Sequence, residues 1–334
     1  MMPSNLNTKT SENLNSSLSS PPKVLAILGA GAWGSALAGL ARYKGHQVRI
    51  WSPSLGNSIE EVVADVDLVL SAVSMPGVSP TSTQIQSIKL KENIPIVTAT
   101  KGLDTETTFT PSQIWSSRCS DHPIVVLSGP NLSKEIEQEL PATTVVASED
   151  INAAKIVQQV FSSKRFRVYT SSDPVGTELG GTLKNVMAIA AGVCDGLHLG
   201  MNAKAGLLTR ALPEIIRIGT HLGGQTETFF GLSGLGDMLT TCSSDLSRNY
   251  RVGYGLAQGK TLEQVLSDLG STAEGVNTTN VLIEIARREQ INVPISGQVY
   301  RLLNNQISPQ EAVEALMERD LKPEFSEKTI PPKL

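Results

Sequence analysis

The residue best placed to do chemistry is Lys184. It stands in GGTLKNVMAIAAGVCDGL, residues 180–197, a stretch whose pattern predicts a long, nearly uncharged helix. Leu179, Leu183, Val186, Met187 and Ile189 make that helix apolar around much of its circumference, as a buried helix is. An ammonium group there is unfavourable unless it has a partner or a task, and burial lowers its pKa toward a range useful for moving protons. Gly180 and Gly181, one turn earlier, leave room for something small to approach. A second cation, Lys101 in ATKGL, would push Lys184 the same way if close, or bind an anionic substrate. Asp237, in the glycine-bounded turn GLGDM, could orient Lys184; the alternative is a helix N-cap. Ser247-Arg248-Asn249 joins a hydroxyl, a guanidinium fork and an amide, a set that suits a phosphate monoester; the alternative is a solvated loop.

Such groups need elements to hold them. Residues 23–51 read as one unit. VLAIL at 24–28 has the continuous apolar pattern of a strand buried on both faces, and GAGAWG follows at once. SALAGLARYKG then predicts a helix closed by Gly45, and QVRIW at 47–51 a second strand. A strand before and a helix after give the G-x-G-x-x-G spacing its physical meaning. Gly29 makes the tight turn, Gly31 lets a pyrophosphate approach the backbone, and Gly34 lets helix and strand pack closely. The diphosphate would lie on the positive helix N-terminus. This predicts a nicotinamide dinucleotide cofactor, NADP(H) or NAD(H), with Lys184 handling the proton that accompanies hydride transfer. An acid at the end of the second strand selects NAD and an Arg selects NADP. Ser52, Pro53 and Ser54 stand there instead, and Arg49 is two residues short of the strand end. No carboxylate repels a 2′-phosphate, so the lean is to NADP(H), with NAD(H) also accepted.

A short helix at 59–65 leads to a third strand, DLVLSAV at 67–73; the span from Trp51 is short for a dinucleotide-binding unit. PIVTATKGL (95–103), PIVVLSGPN (123–131), ATTVVAS (142–148) and FRVYT (166–170) supply four more strands. Strands alternating with helices predict an α/β fold, a doubly wound, mostly parallel, Rossmann-like sheet over residues 23–170. Ligands bind outside the carboxyl ends of such strands, so Lys101 and the turn Ser128-Gly129-Pro130-Asn131 face the cofactor. From 171 to 322 the segments 175–194, 203–220, 261–269, 275–289, 296–303 and 309–318 predict an all-helical C-terminal domain. Glycine-bearing stretches such as GLSGLGDM read as loops, and TTCSSDLSRNY, residues 240–250, as a polar cluster between helices. Residues 1–22, rich in Ser and Asn, read as a disordered tail without the features of a secretory or transit peptide, and 323–334 as a second tail.

Composition excludes several classes. A net charge of -4 argues against nucleic acid as the main partner, because phosphate backbones need clustered Lys and Arg. No apolar run approaches the roughly 18 residues of a membrane span. The three cysteines, Cys119, Cys194 and Cys242, have no metal-ligand spacing and fit reduced thiols of a cytosolic protein, Cys194 as a small core residue. His46, His122, His198 and His221 stand in no motif with a carboxylate or nucleophile and read as structural or surface residues; no metal site is expected.

GAGAWG, ATKGL, LSGPN, GGTLKNVMAIAAGVCDGL, GLGD (234–237), SRN (247–249) and AEGVNT (273–278) together resemble, in order and spacing, the bacterial-type NAD(P)-dependent glycerol-3-phosphate dehydrogenases, over nearly all of residues 23–320. The resemblance implies interconversion of sn-glycerol 3-phosphate and dihydroxyacetone phosphate, usually run reductively to supply phospholipid synthesis, in a cytoplasmic and commonly dimeric enzyme. It implies that Lys184 is the proton acceptor in the oxidative direction and that Lys101 touches both substrate and cofactor. Gly129 and Asn131 would lie beside the substrate. Asp237, Ser247, Arg248 and Asn249 would bind it, with Arg248 also near the cofactor. Ala32, Trp33, Ser133, Thr272 and Glu274 would line the cofactor site along with Gly29, Gly31 and Gly34. The chain departs from the family pattern at Ser-Pro-Ser after Trp51 and in the shortened segment that follows, both at the adenosine end. Two other readings compete: a two-domain reductase of β-hydroxyacids or ketopantoate, and a catalytically silent NADP-sensing protein. The Ser-Arg-Asn cluster separates the family reading from the first, and Lys184, Lys101 and Asp237 together argue against the second. The expected site is a seam between two domains, with the carbinol carbon beside Gly180 and Gly181.

Overall fold

Leu, Ile and Val in short unbroken runs build the first layer. Val24–Leu28 (β1), Gln47–Trp51 (β2), Leu68–Ser71 (β3), Ile96–Thr98 (β4) and Ile124–Ser128 (β5) pair in parallel, and β3 and β4 are buried along their whole length. Such strands lie under helices on both faces. Ala142–Ala147 (β6) runs antiparallel to β5, and Phe166–Ser171 (β7) parallel to β6. The sheet order is β2-β1-β3-β4-β5-β6-β7, mostly parallel with one reversed joint. The computed structural model describes residues 21–270, 272–321 and 323–324, so nearly all of the two expected tails lies outside the described residues.

Helices cover both faces. Ala32–Tyr43 (α1) and Ile151–Phe161 (α6) bury Leu37, Ala38, Val157 and Phe161 on one side. Ile59–Val63 (α2), Met75–Ser87 (α3) and Pro111–Arg118 (α4) bury Val62, Val78 and Trp115 on the other. This is the doubly wound arrangement. One five-residue helix, α2, bridges β2 to β3, which accounts for the short span after Trp51. A further short helix, Ser133–Glu137 (α5), follows the turn after β5.

Pro174–Gly196 (α7) opens the helical half, its N-terminus capped by Asp173, which accepts from Gly176 N at 2.8 Å. Gly200–His221 (α8), Thr226–Phe229 (α9), Asp237–Cys242 (α10), Arg248–Ala257 (α11), Leu262–Leu269 (α12), Glu274–Arg288 (α13), Pro294–Leu303 (α14) and Pro309–Met317 (α15) follow. A third core gathers around α7, with Leu183, Val186, Met187 and Ile189 fully buried. No helix among the described residues is long and apolar enough to cross a membrane.

One stretch differs from expectation, and a second matches it at its centre. GLSGLGDM is not a loop: Leu232–Gly236 forms a π-helical turn that runs directly into α10. TTCSSDLSRNY does join two helices through residues 243–247, with its first residues ending α10 and its last opening α11. Backbone contact at Gly234 explains the first, and the same kind of contact recurs at Gly192 and Gly253 in α7 and α11. A Cβ on Gly234 would lie 2.1 Å from Phe229 O, one on Gly253 1.8 Å from Ile189 O, and one on Gly192 2.0 Å from Tyr250 O. These glycines are poor helix formers held helical by close packing, which overrides local propensity. Contacts between α7 and α11 advance in step, Ile189 with Gly253, Gly192 with Tyr250 and Tyr254, Gly196 with Tyr254 and Ala257, so the two helices run in the same sense.

Candidate active site

Two lysines from opposite halves of the chain meet on one carboxylate. Lys101, just past the end of β4, places Nζ 2.5 Å from Asp237 Oδ2 and 3.1 Å from the Gly129 carbonyl. Lys184, on α7, places Nζ 2.9 Å from Asp237 Oδ1 and donates to Thr241 Oγ1 at 2.5 Å. Thr241 in turn reaches Asp237 Oδ1 at 3.2 Å, one turn along α10. Asp237 is the first residue of α10, and its carboxylate is occupied by cations rather than by helix capping. Lys184 is 7% exposed and Asp237 1%, so these two charges are strongly felt, while Lys101 keeps part of its side chain at the surface. Burial draws the Lys184 ammonium down to about 8; Asp237 opposes that fall and Lys101 adds to it. Cys242, buried beside this cluster, stays a thiol, its pKa pushed up to about 12 by burial.

The room beside Gly180 and Gly181 is filled by the protein itself. The π-helical turn packs on Gly180, where a Cβ would lie 2.8 Å from Ser233 O. The Ser128 hydroxyl and Lys101 Cε pack on Gly181. Small residues permit close approach, and here chain segments make that approach, so the carbinol carbon does not belong there.

A cradle for a dinucleotide stands at the carboxyl ends of β1 and β3. Gly29 has φ +117°, and a Cβ on it would meet Ala72 O at 2.6 Å. A Cβ on Gly34 would lie 2.0 Å from Gly29 O, so only glycine lets α1 start this close to β1. Gly31 faces open space and is the N-cap of α1, with no side chain bonded to the first helical N–H groups. Those donors, with the exposed Ala32 beside them, can receive a diphosphate. Trp33 is half-buried and anchored by its indole N–H to Ala99 O at 3.1 Å. A dinucleotide fits this arrangement. At the adenosine end Ser52 and Ser54 hydroxyls lie 2.8 Å apart. Arg49 is turned away, donating to Ala64 O at 2.5 Å at the end of α2.

The phosphate-binding candidates sit at the start of α11. Ser247 is its N-cap, accepting from Tyr250 N at 3.2 Å, and its O–H remains available to donate. Asn249 accepts from Gly275 N at 2.9 Å through Oδ1, leaving its NH2 as a donor. Arg248 is exposed and near Glu274, whose carboxyl burial raises in pKa. The three residues thus offer donors to an anion. Glu274, first in α13, reaches across to Met75 N at 3.3 Å at the start of α3; Thr272 is exposed just before it. Asn131 is engaged with β6, donating to Thr143 O at 3.0 Å and accepting from Thr144 Oγ1 at 2.9 Å. Ser133 opens α5, opposite α1. Thr241 is the member of the central cluster that sequence reading did not single out; its spacing of one turn from Asp237 is a signal only once α10 is known to be a helix.

Comparison with known proteins agrees with this layout. The family model described as NAD-dependent glycerol-3-phosphate dehydrogenase N-terminus matches residues 24–55 and 53–154, and that for the C-terminus matches residues 173–314. A glycerol-3-phosphate dehydrogenase (NAD(P)+) of Trichormus variabilis is 60% identical over 302 residues, covering 90% of this chain and 98% of that protein. One of Synechocystis is 60% identical over 307 residues, covering 92% and 96%. The crystal structure of glycerol-3-phosphate dehydrogenase from Coxiella burnetii superposes with a TM-score of 0.85 at 33% identity, covering 89% of this chain and 99% of that one. With both halves matched and relatives this similar over their full length, the chain belongs to the NAD-dependent glycerol-3-phosphate dehydrogenase family.

Proposed function

We propose that this protein interconverts sn-glycerol 3-phosphate and dihydroxyacetone phosphate with NAD(H) or NADP(H). The observation that carries the reading is Asp237 bridging Lys101 from the nucleotide-binding half and Lys184 from the helical half. A bound nicotinamide supplies or takes up the hydride. Gly29, Gly31 and Gly34 cradle its diphosphate, and Ala32, Trp33, Ser133, Thr272 and Glu274 line the rest of its cleft. Lys184, as the neutral amine, takes the hydroxyl proton in the oxidative direction; as the ammonium, it gives the proton to the carbonyl oxygen in the reductive direction. Asp237 holds the ammonium form, and Thr241, bonded to both, keeps Nζ aimed. Lys101 adds a fixed positive charge on the cofactor side, where developing negative charge on oxygen is favoured. Arg248, with the free donors of Ser247 and Asn249, binds the phosphate, and Gly129 and Asn131 form the wall beside it.

The reaction runs reductively in the cytoplasm and supplies phospholipid synthesis, and the enzyme is a homodimer; these parts of the proposal rest on the family resemblance. The three buried free cysteines fit a reducing compartment. The cofactor preference leans to NADP(H). With Arg49 committed to α2, a 2′-phosphate meets the Ser52 and Ser54 hydroxyls, which neither repel it nor carry a charge to hold it. The deciding experiment follows NADPH and NADH oxidation with dihydroxyacetone phosphate and with dihydroxyacetone. Both cofactors should turn over with the phosphate ester, NADPH at least as well, and the phosphate-free ketone should be a poor substrate. No oxidation of either cofactor with the ester would refute the assignment.

A further inference from the structure

Glu178 is 2% exposed and lies less than two turns before Lys184 on α7. Its carboxylate crosses to the nucleotide-binding half and meets the start of α4. Oε1 accepts from Ser112 N at 2.9 Å, and Oε2 accepts from the Ser112 hydroxyl. The first turn of α4 is short of acceptors at this point. Pro111 has no N–H, Gln113 N is taken by the Thr110 side chain, and Ile114 N by Thr110 O. Ser112 N–H is the donor left over, and Glu178 satisfies it. One turn on, Thr182 Oγ1 accepts from Gly102 N at 3.2 Å, directly beside Lys101. Between them Gly181 lies against Ser128 and Lys101 Cε. One face of α7 is thus fastened at two heights to the half that carries Lys101, while Lys184 is bonded to α10.

An apolar residue would fill the Glu178 position without desolvating a carboxylate. Burial pushes this carboxyl up to about 7 even though its hydrogen bonds to Ser112 and Thr110 pull the other way. A group that unfavourable is placed for what its two directed bonds do. Sliding α7 by one residue moves it about 1.5 Å, enough to break a 2.9 Å contact between Lys184 and Asp237. We propose that Glu178 is a positioning residue, which with Thr182 fixes the height of α7 against the nucleotide-binding half so that Lys184 and Lys101 converge on Asp237. The proposal rests on the reading of Lys184 as the proton carrier.

The test measures steady-state reduction of dihydroxyacetone phosphate, nucleotide binding by isothermal titration calorimetry, and melting temperature for Glu178→Gln, Glu178→Ala and Thr182→Val. Glutamine keeps an acceptor for Ser112 N–H, and its amide can donate to the same hydroxyl, so Glu178→Gln should hold kcat within about two-fold. Glu178→Ala and Thr182→Val should lower kcat about 10- to 100-fold at temperatures well below melting, with nucleotide affinity unchanged. In a Lys184→Ala background Glu178→Ala should add nothing further. Normal kcat in both Glu178→Ala and Thr182→Val, equal loss in Gln and Ala, or the same fold-loss with and without Lys184 would each overturn the proposal. Where Glu178→Ala does not fold, Thr182→Val carries the same test. Full turnover by Lys184→Ala alone would instead refute the proton-carrier reading.

Discussion

Two ammonium groups share one buried carboxylate, and the burial of Lys184, set against its attraction to Asp237, governs when it lets go of its proton. Lys184 is drawn down to about 8 chiefly by burial. Oxidation needs the neutral amine, so kcat/KM for sn-glycerol 3-phosphate should rise with pH through about 8 and level above it. Reduction needs the ammonium, so its kcat/KM should be flat below about 8 and fall above it. Asp237→Asn removes the group that holds the charge and should move both limbs to lower pH; unshifted limbs would mean another group titrates. Lys184→Ala should lose about 10²- to 10⁴-fold in turnover while still binding nucleotide. Lys184 was legible because a lone cation in an apolar helix is conspicuous, and Asp237 because a run of spaced glycines leads up to it. Thr241 was not, since a threonine in a polar stretch looks the same whether its hydroxyl meets solvent or a lysine. Nor was the filling of the Gly180-Gly181 gap, because a sequence shows where space is left and not which segment enters it.

At the scale of elements, α7 and α11 approach to backbone contact at two glycines, with side chains such as Tyr250 and Gln258 bonding across on either side. A methyl added at Gly253 has a carbonyl oxygen 1.8 Å away, and one at Gly192 has one 2.0 Å away. Neither neighbour is the end of a flexible side chain, so the helices must part. Gly253→Ala should destabilise by about 1–3 kcal/mol or more, read as a lower denaturant midpoint. Gly31→Ala, which meets open space, should leave stability near wild type and affect nucleotide binding alone. The strand-glycine-helix unit from β1 to β2 could be read residue by residue, because an unbroken apolar run followed by GAGAWG has few other physical solutions. The same glycine richness misled in GLSGLGDM, and it hid α11, whose Gly253 and Gly255 lower helix propensity and which is absent from the expected helices. Which glycines break a helix and which admit a neighbour is settled only by the neighbour. The antiparallel joint between β5 and β6 was equally silent, since strand direction leaves little trace in composition.

At the scale of the molecule, a single long helix belongs to both halves of the site, and its buried acid ties stability to pH. Glu178 has a folded-state pKa raised from 4.5 to about 7. Its contribution to stability is therefore complete below 4.5 and is lost as pH rises through about 7. Glu178→Gln has no such titration, so its denaturant midpoint relative to wild type should climb between pH 5 and pH 8; a constant difference would place the titration elsewhere. The glycine contact between α7 and α11 has a different reach. Lys184 and Arg248 stand equally far along the chain before one pair of that contact, Ile189 and Gly253, on helices that run in the same sense. Close backbone approach at Gly192 and Gly253 fixes how near the two helices lie, and the spacing from the proposed proton carrier to the proposed phosphate anchor is then a gauge cut to one length. Selection can alter which groups are presented at either end of that gauge, but a substrate one carbon longer would require the two helices to be re-spaced.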